Sequence, residues 1–250
     1  MTRAGEVSER VPPIHTEGGK PLGFPPLSFL SLSNTSRLIP SRYTIPDESA
    51  LAAVAHGSDL QTAFALDDLT NDRLLAEVDQ HEGIGPHELV YGIPCASIIN
   101  AAFTQAHPEG SRFNGPRRGA WYAGLAVATA QAEVIWHKTI ELHEVGVFEE
   151  EDSYDEYLAD FRCEFHDLRS LEYTDKILAP DSYIDSQILA ERLFSQGSLG
   201  VIYPSVRDHS GFCLVCFRPA LVTNVRKSTT FLFRWTGKDQ PVSIQPVEPR

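Results

Sequence analysis

Apolar residues in this chain change their period from segment to segment, and they do so unevenly. Tyr157–Leu168 reads as one or two strands. Thr229–Trp235 reads as another, with Phe231 and Phe233 opposing Leu232 and Arg234. Shorter strand-like runs lie at Arg37–Ile39, Ala120–Ala123, Gly200–Tyr203 and Phe212–Phe217. Helical spacing is expected from Cys95 to Gln105, from Val127 to Leu142, and from Ser182 to Gln196, where Gly197 supplies a stop. Residues 47–81 read as two further helical pieces. Leu60, Ala63 and Phe64 share a face of the first; Thr70 caps the second, with Asp72 in its first turn and Leu74, Leu75 and Val78 inward. Strands and helices that interleave so irregularly suit an α+β fold better than a regular parallel sheet. No internal repeat or heptad pattern is present.

At 250 residues with 42% hydrophobic content, the chain can bury a sizeable core without covalent staples. Proline and glycine pairs (Pro12-Pro13, Gly18-Gly19, Pro25-Pro26) mark 1–35 as a loosely ordered tail, docked at most through Leu27, Phe29 and Leu30. One domain is expected over 36–236, with 44–110 a largely helical insertion. Residues 237–250, with three prolines, read as an irregular tail. Glu149–Asp152 reads as a solvated acidic loop. The formal net charge is −13, from 34 acidic against 21 basic residues, which disfavours direct binding to nucleic acid. Four cysteines are too few for a disulfide framework in a chain of this length. The start carries no apolar leader, and no run approaches the roughly 18 apolar residues of a membrane helix. A cytoplasmic location is the expectation.

Four segments set polar groups among small and apolar neighbours: Ser111-Arg112-Phe113-Asn114-Gly115, Gly119-Ala120-Trp121-Tyr122-Ala123, Thr129-Ala130-Gln131-Ala132-Glu133-Val134, and Gly200–Arg207 with its Tyr203-Pro204-Ser205-Val206-Arg207 end. Taken in order and spacing, they resemble the RES domain, named for its Arg, Glu and Ser. The family pattern has an Arg-Phe-Asn-like turn, then a Tyr, then a Glu in a Thr-Ala-x-x-Glu context, then a distal Tyr-x-Ser-Val-Arg. An early Arg sits on the first strand, which corresponds here to Arg37 in Arg37–Tyr43, and Gly211–Pro219 resembles the closing strand. The likeness runs from Arg37 to Trp235 and is closest to the longer branch of the family, because compact members have only a short link where 44–110 lies.

The resemblance implies an ADP-ribosyltransferase-like α+β fold and degradation of NAD⁺ at the nicotinamide–ribose bond. The enzyme would be of glycohydrolase or phosphorylase type, in many members the toxin of a toxin–antitoxin pair. NAD⁺ would be substrate, with no separate cofactor and no metal. Inorganic phosphate, a protein antitoxin and a second copy of the chain are the further partners considered. The chemistry suits the residues. Guanidinium forks match pyrophosphate oxygens, which assigns Arg37 and Arg112, with Arg207 and Arg42 as weaker candidates. Breaking the C–N bond builds positive charge on the ribose, and Glu133 can stabilise it. Tyr122 can stack on the nicotinamide with its hydroxyl free, and Ser205 can donate or accept near the ribose or pyrophosphate.

Each residue also has an ordinary reading: Arg112 as a surface turn residue, Glu133 on a solvated helix face, Tyr122 as core, Ser205 as a turn residue beside Pro204. Two other functions stay open, a non-catalytic nucleotide- or partner-binding module and a protein ADP-ribosyltransferase. Cys213-x-x-Cys216 lacks a second pair, and residues three apart on a strand point to opposite faces, so these cysteines read as structural. Glu133 and His137 lie one helical turn apart but lack a third metal ligand.

Overall fold

A computed structural model describes residues 23–44, 83–170, 175–237 and 241–247. The helices expected over 47–81 lie outside these residues. Within them lie seven strands and three α-helices: β1 (Leu27–Pro40), α1 (Ala96–Thr104), β2 (Trp121–Gly124), α2 (Val127–Val145), β3 (Glu149–Asp167), α3 (Ile184–Ser195), β4 (Gly200–Pro204), β5 (Phe212–Cys216), β6 (Thr223–Thr236) and β7 (Pro241–Val247). The fold is α+β.

The strands run in the order β1-β2-β5-β4-β3-β6-β7, and β1 also pairs with β3. The sheet therefore curls round on itself. β1, β2, β5, β4 and β3 form a ring, closed at the β1–β2 seam by one registered pair, Ser36 with Gly124. Only β3 and β4 run parallel, at His166–Asp167 with Val201–Ile202. β3 is long enough to hold both halves together. Its first part pairs with β6 and its end with β4, while β1 runs along the other edge.

Alternation decides which side chains fill the interior. Tyr157, Ala159, Phe161, Cys163 and Phe165 of β3 enter one core with Trp121, Ile202, Leu214 and Cys216, and α1 covers it through Ile98, Ile99 and Phe103. The opposite face of β4 and β5 builds a second core from Val201, Tyr203, Cys213 and Val215 against Leu189 and Leu193 of α3. The cysteines thus lie on opposite faces, Cys216 in the first core and Cys213 in the second, and all four cysteines are free. A smaller cluster seats Leu142 of α2 on Tyr154, Phe233 and Trp235. α2 ends at Gly146 and α3 at Gly197, both in the left-handed region that glycine occupies without a Cβ clash (φ +69° and +81°).

Three expectations need correction. Residues 27–35 are not tail but half of β1, paired continuously with β3 apart from a bulge at Leu32/Thr35. The backbone ladder holds this half, because Leu27 and Phe29 remain 55% and 62% exposed and, of its apolar residues, only Leu30 is buried. Glu149–Asp152 is not a loop but the start of β3. The acids are tolerated there because Glu151 lies opposite its ion-pair partner Arg234, and Asp152 pairs with Arg42 at 2.6 Å. Residues 241–247 form edge strand β7 rather than irregular chain. Its prolines fit because an edge leaves one row of backbone positions unpaired. None of the described helices is long and apolar enough to cross a membrane.

Candidate active site

At one rim of the second core, α2, the 205–211 turn and the segment before α3 come together with the Ser111–Asn114 turn. That turn is closed by Ser111 N to Asn114 O (2.8 Å) and Asn114 N to Ser111 O (3.3 Å). Gly110 enters it at φ +74°, and a Cβ there would fall 2.2 Å from Asn114 O, so the residue has to be glycine. From α3, Gln187 Nε2 donates to the carbonyls of Glu109 and Ser111 (both 3.0 Å) and braces the turn from outside. Phe113 anchors it in the core against Tyr203. Arg112 is thereby displayed at the rim, yet only 7% exposed. Its guanidinium lies over the Tyr183 ring (4.7 Å) and its Nη1 donates to Ala179 O (2.9 Å).

A second arginine copies this arrangement. Arg207 stacks over Trp136 of α2 (3.3 Å), and its Nη2 donates to Pro180 O (2.5 Å). Two guanidinium groups thus hold consecutive carbonyls of one segment and lean on two aromatic rings. Neither forms an ion pair with a described carboxylate, although the chain carries 34 acidic residues. Burial holds the Arg207 guanidinium below its ordinary value, with neighbouring Arg112 adding to the effect. Tyr183 and the charge of Glu133 act against that lowering, so Arg207 is partly compensated without being ion-paired, and two adjacent cations of this kind could take up an anion.

Glu133 lies on the α2 face turned to this rim. Its Oε1 accepts from Ser205 Oγ (2.7 Å) and from the Cys213 thiol (3.7 Å), while Oε2 accepts nothing from the described residues. Burial, with the Glu133 charge adding to it, pushes the Cys213 thiol far above its usual value, so it stays protonated as a donor. The Ser205 hydroxyl is fully committed. It accepts from the backbone N–H groups of Arg207 (3.1 Å) and Asp208 (3.0 Å), which leaves its proton for Glu133. It holds one oxygen of the carboxylate and has no spare lone pair for a ligand.

Tyr122 differs from expectation in the same way. Its hydroxyl is not free: it accepts from Phe113 N (2.9 Å) and donates to Asn114 Oδ1 (2.8 Å), tying β2 to the arginine turn. Burial pushes this phenol well above its usual range. Of the other five candidates, Arg37 contacts only Tyr122. It leaves β1 beside the β1–β2 seam, stacks on Trp121 (5.0 Å) and donates Nη1 to the backbone carbonyl of Tyr122 (3.2 Å). Its Nε is buried without a partner, and burial lowers its pKa to about 10. Arg42 is engaged at the surface with Asp152 and is not at the rim.

Sequence reasoning passed over Trp136 and Tyr183, and weighed His137 only as a metal ligand. Stacking partners distant in sequence leave no local pattern, so only the spacing of Glu133, Trp136 and His137 along one helix face could have pointed to two of them. His137 has an exposed surface, although crowding around its ring and the charges of Arg207, Arg112 and His107 lower its pKa to about 4. It therefore presents a neutral imidazole at neutral pH. Among the described residues no three His, Cys, Asp or Glu converge on a metal position.

A family model for the RES domain matches residues 89–236. The chain belongs to the RES-domain family. The matched part of the RES domain carries Arg112, Tyr122, Glu133, Ser205 and Arg207, while Arg37 and β7 lie outside it. Among solved structures, the RES chain is similar to one from the crystal structure of the M. tuberculosis MbcT–MbcA toxin–antitoxin complex. Identity is 15%, coverage is 57% of this chain and 74% of that chain, and the TM-score is 0.39. No curated protein matches the sequence.

Proposed function

We propose that the protein cleaves NAD⁺ between nicotinamide and ribose. The observation that carries this reading is the half-engaged carboxylate of Glu133. One oxygen is held by Ser205 and Cys213 and the other is open, beside two arginines that lack carboxylate partners. Arg112 and Arg207 suit the pyrophosphate, whose oxygens match their planar donor forks better than the carbonyls of Ala179 and Pro180. Glu133 Oε2 would accept from a ribose hydroxyl. As the C1–N bond lengthens, the ring takes on oxocarbenium character, and a fixed negative charge beside it favours that transition state over the ground state. The bonding pair leaves with nicotinamide, which departs neutral. An oxygen of water or inorganic phosphate then bonds to C1, giving ADP-ribose or its 1-phosphate, and the surplus proton passes to solvent. Arg37, at the seam behind Tyr122, would add a third positive charge.

Purified protein incubated with NAD⁺, with and without phosphate, tests this directly. Nicotinamide should appear in step with NAD⁺ loss, and the sugar product identifies the acceptor. Intact NAD⁺ after long incubation would leave a binding module, and label transferred to protein in a lysate would indicate an ADP-ribosyltransferase. Family resemblance extends the proposal to biology: the protein would act as a toxin restrained by a protein antitoxin. Expression alone should then arrest a bacterial host as its NAD⁺ falls, and harmless expression with unchanged NAD⁺ would count against that role.

A further inference from the structure

The placement of Glu133 depends on a junction that the reaction itself does not require. Ser205 can direct its proton at Glu133 only while the 205–211 turn keeps its shape, since both hydroxyl lone pairs are held by that turn's own N–H groups. The turn is closed by Ser205 N to Gly211 O and Gly211 N to Asp208 O (both 2.9 Å). Asp208 then fastens it to α2: its Oδ2 accepts from Thr129 Oγ1 (2.8 Å), and its Oδ1 is occupied by Ser210. Thr129 is 1% exposed and sits one helical turn before Glu133, so whatever fixes Thr129 fixes the carboxylate's helix.

Two glycines show how closely the parts approach. A Cβ at Gly211 would lie 2.3 Å from both Asp208 Oδ2 and Thr129 Oγ1, on the bond itself. A Cβ at Gly124, the end of β2, would lie 2.7 Å from Ala130 N and 2.8 Å from Ala126 O. The first turn of α2 is thus pressed between the ends of β2 and β5 with no slack. A general role for Asp208 as an acid near a helix start explains less, because its bond goes to a side-chain hydroxyl and not to the free N–H groups of α2.

We propose that Asp208 is a positioning residue: through Thr129 it locks the 205–211 turn to α2 and so sets the Ser205–Glu133 couple at its working distance. This rests on the reading of Glu133 as the working carboxylate. The test compares wild type with Asp208→Ala, Thr129→Val and Thr129→Ser. Nicotinamide release from NAD⁺ is followed by kcat and KM, and amide exchange is followed at Arg207 and at position 208. Asp208→Ala and Thr129→Val should each lower kcat on the order of tenfold to a hundredfold while KM changes by less than about threefold, and Thr129→Ser should restore most of the loss. In a Glu133→Gln background, Asp208→Ala should cost nothing further, because it acts through the group already removed. Both amides should exchange faster in Asp208→Ala, whether or not the protein acts on NAD⁺. Unchanged exchange would overturn the proposal, as would an Asp208→Ala loss that persists in full without the Glu133 charge. Absence of nicotinamide release by wild type would instead overturn the proposed function.

Discussion

Two carboxylates near the sheet are built in opposite ways. Asp155 of β3 is 2% exposed and saturated: Thr44 and Lys227 donate to Oδ2 and Thr230 to Oδ1. Burial would raise its pKa, but Lys227, Thr230 and Thr44 outweigh it and hold the group below the usual carboxylate value. Glu133 of α2 is half-buried and half-engaged, with both of its donors on one oxygen. Nearby cations are treated just as differently. Lys227 is bonded to Asp155 directly, whereas Arg112 and Arg207 are parked on backbone carbonyls and aromatic rings. A saturated carboxylate joins strands, and a half-satisfied one near cations that lack ion-pair partners leaves room for the ligand proposed above.

Asp155→Ala should sharpen that contrast most. It removes the side-chain partner of the half-buried Thr230 hydroxyl and of Lys227, and leaves Thr44 only its bond to Ser41 O, so stability should fall by about 1 to 2 kcal/mol, with little from the half-exposed Lys227, while turnover per folded molecule stays the same. Denaturant melts paired with active-site-normalised rates check this, and lost turnover with unchanged stability would erase the distinction. Arg112→Lys keeps the charge but loses the fork. KM for NAD⁺ should rise about tenfold, or roughly 1.4 kcal/mol, with kcat less affected; a changed kcat at constant KM would assign Arg112 to the chemical step. Tyr122→Phe removes the hydroxyl's two bonds and should lower stability by about 1 kcal/mol, read from its melting temperature; an unchanged melt would show that the hydroxyl does not brace the arginine turn.

The smallest effect belongs to acid. Hydrogen bonds from Arg169 outweigh burial at Asp167 and lower it to about 2. A depressed carboxylate stabilises the fold above its unfolded value and ceases to do so as pH falls through the folded one. Wild type should therefore exceed Asp167→Asn by less than about 1 kcal/mol at neutral pH, with the gap closing between about pH 4 and pH 2. A gap that stays constant through that window would rule out the linkage.

Local pattern made much of the fold readable. The core stretch of β3, the two long helices, the Gly197 stop of the second and the opposite facing of Cys213 and Cys216 all follow from period and from a residue that tolerates positive φ. What escaped was set by distant partners. Leu27–Ser36 becomes a strand through its ladder with β3, and Glu149–Asp152 through Arg42 and Arg234, neither of which leaves a local signature. At the candidate site, the motif spacings singled out Arg112, Glu133 and Ser205 but could not say which of their atoms are already engaged. The occupied hydroxyls of Tyr122 and Ser205, and the stacking of Arg207 on Trp136, depend on rotamers and on chain segments brought together by folding.

Glu133→Gln bears most directly on the central claim. The substitution keeps shape and leaves an oxygen for Ser205 while removing the charge. Nicotinamide release should fall on the order of 10²–10³-fold at saturating NAD⁺, with KM within about threefold and stability within about 0.5 kcal/mol of wild type. Wild-type turnover in a folded Glu133→Gln protein would contradict the account.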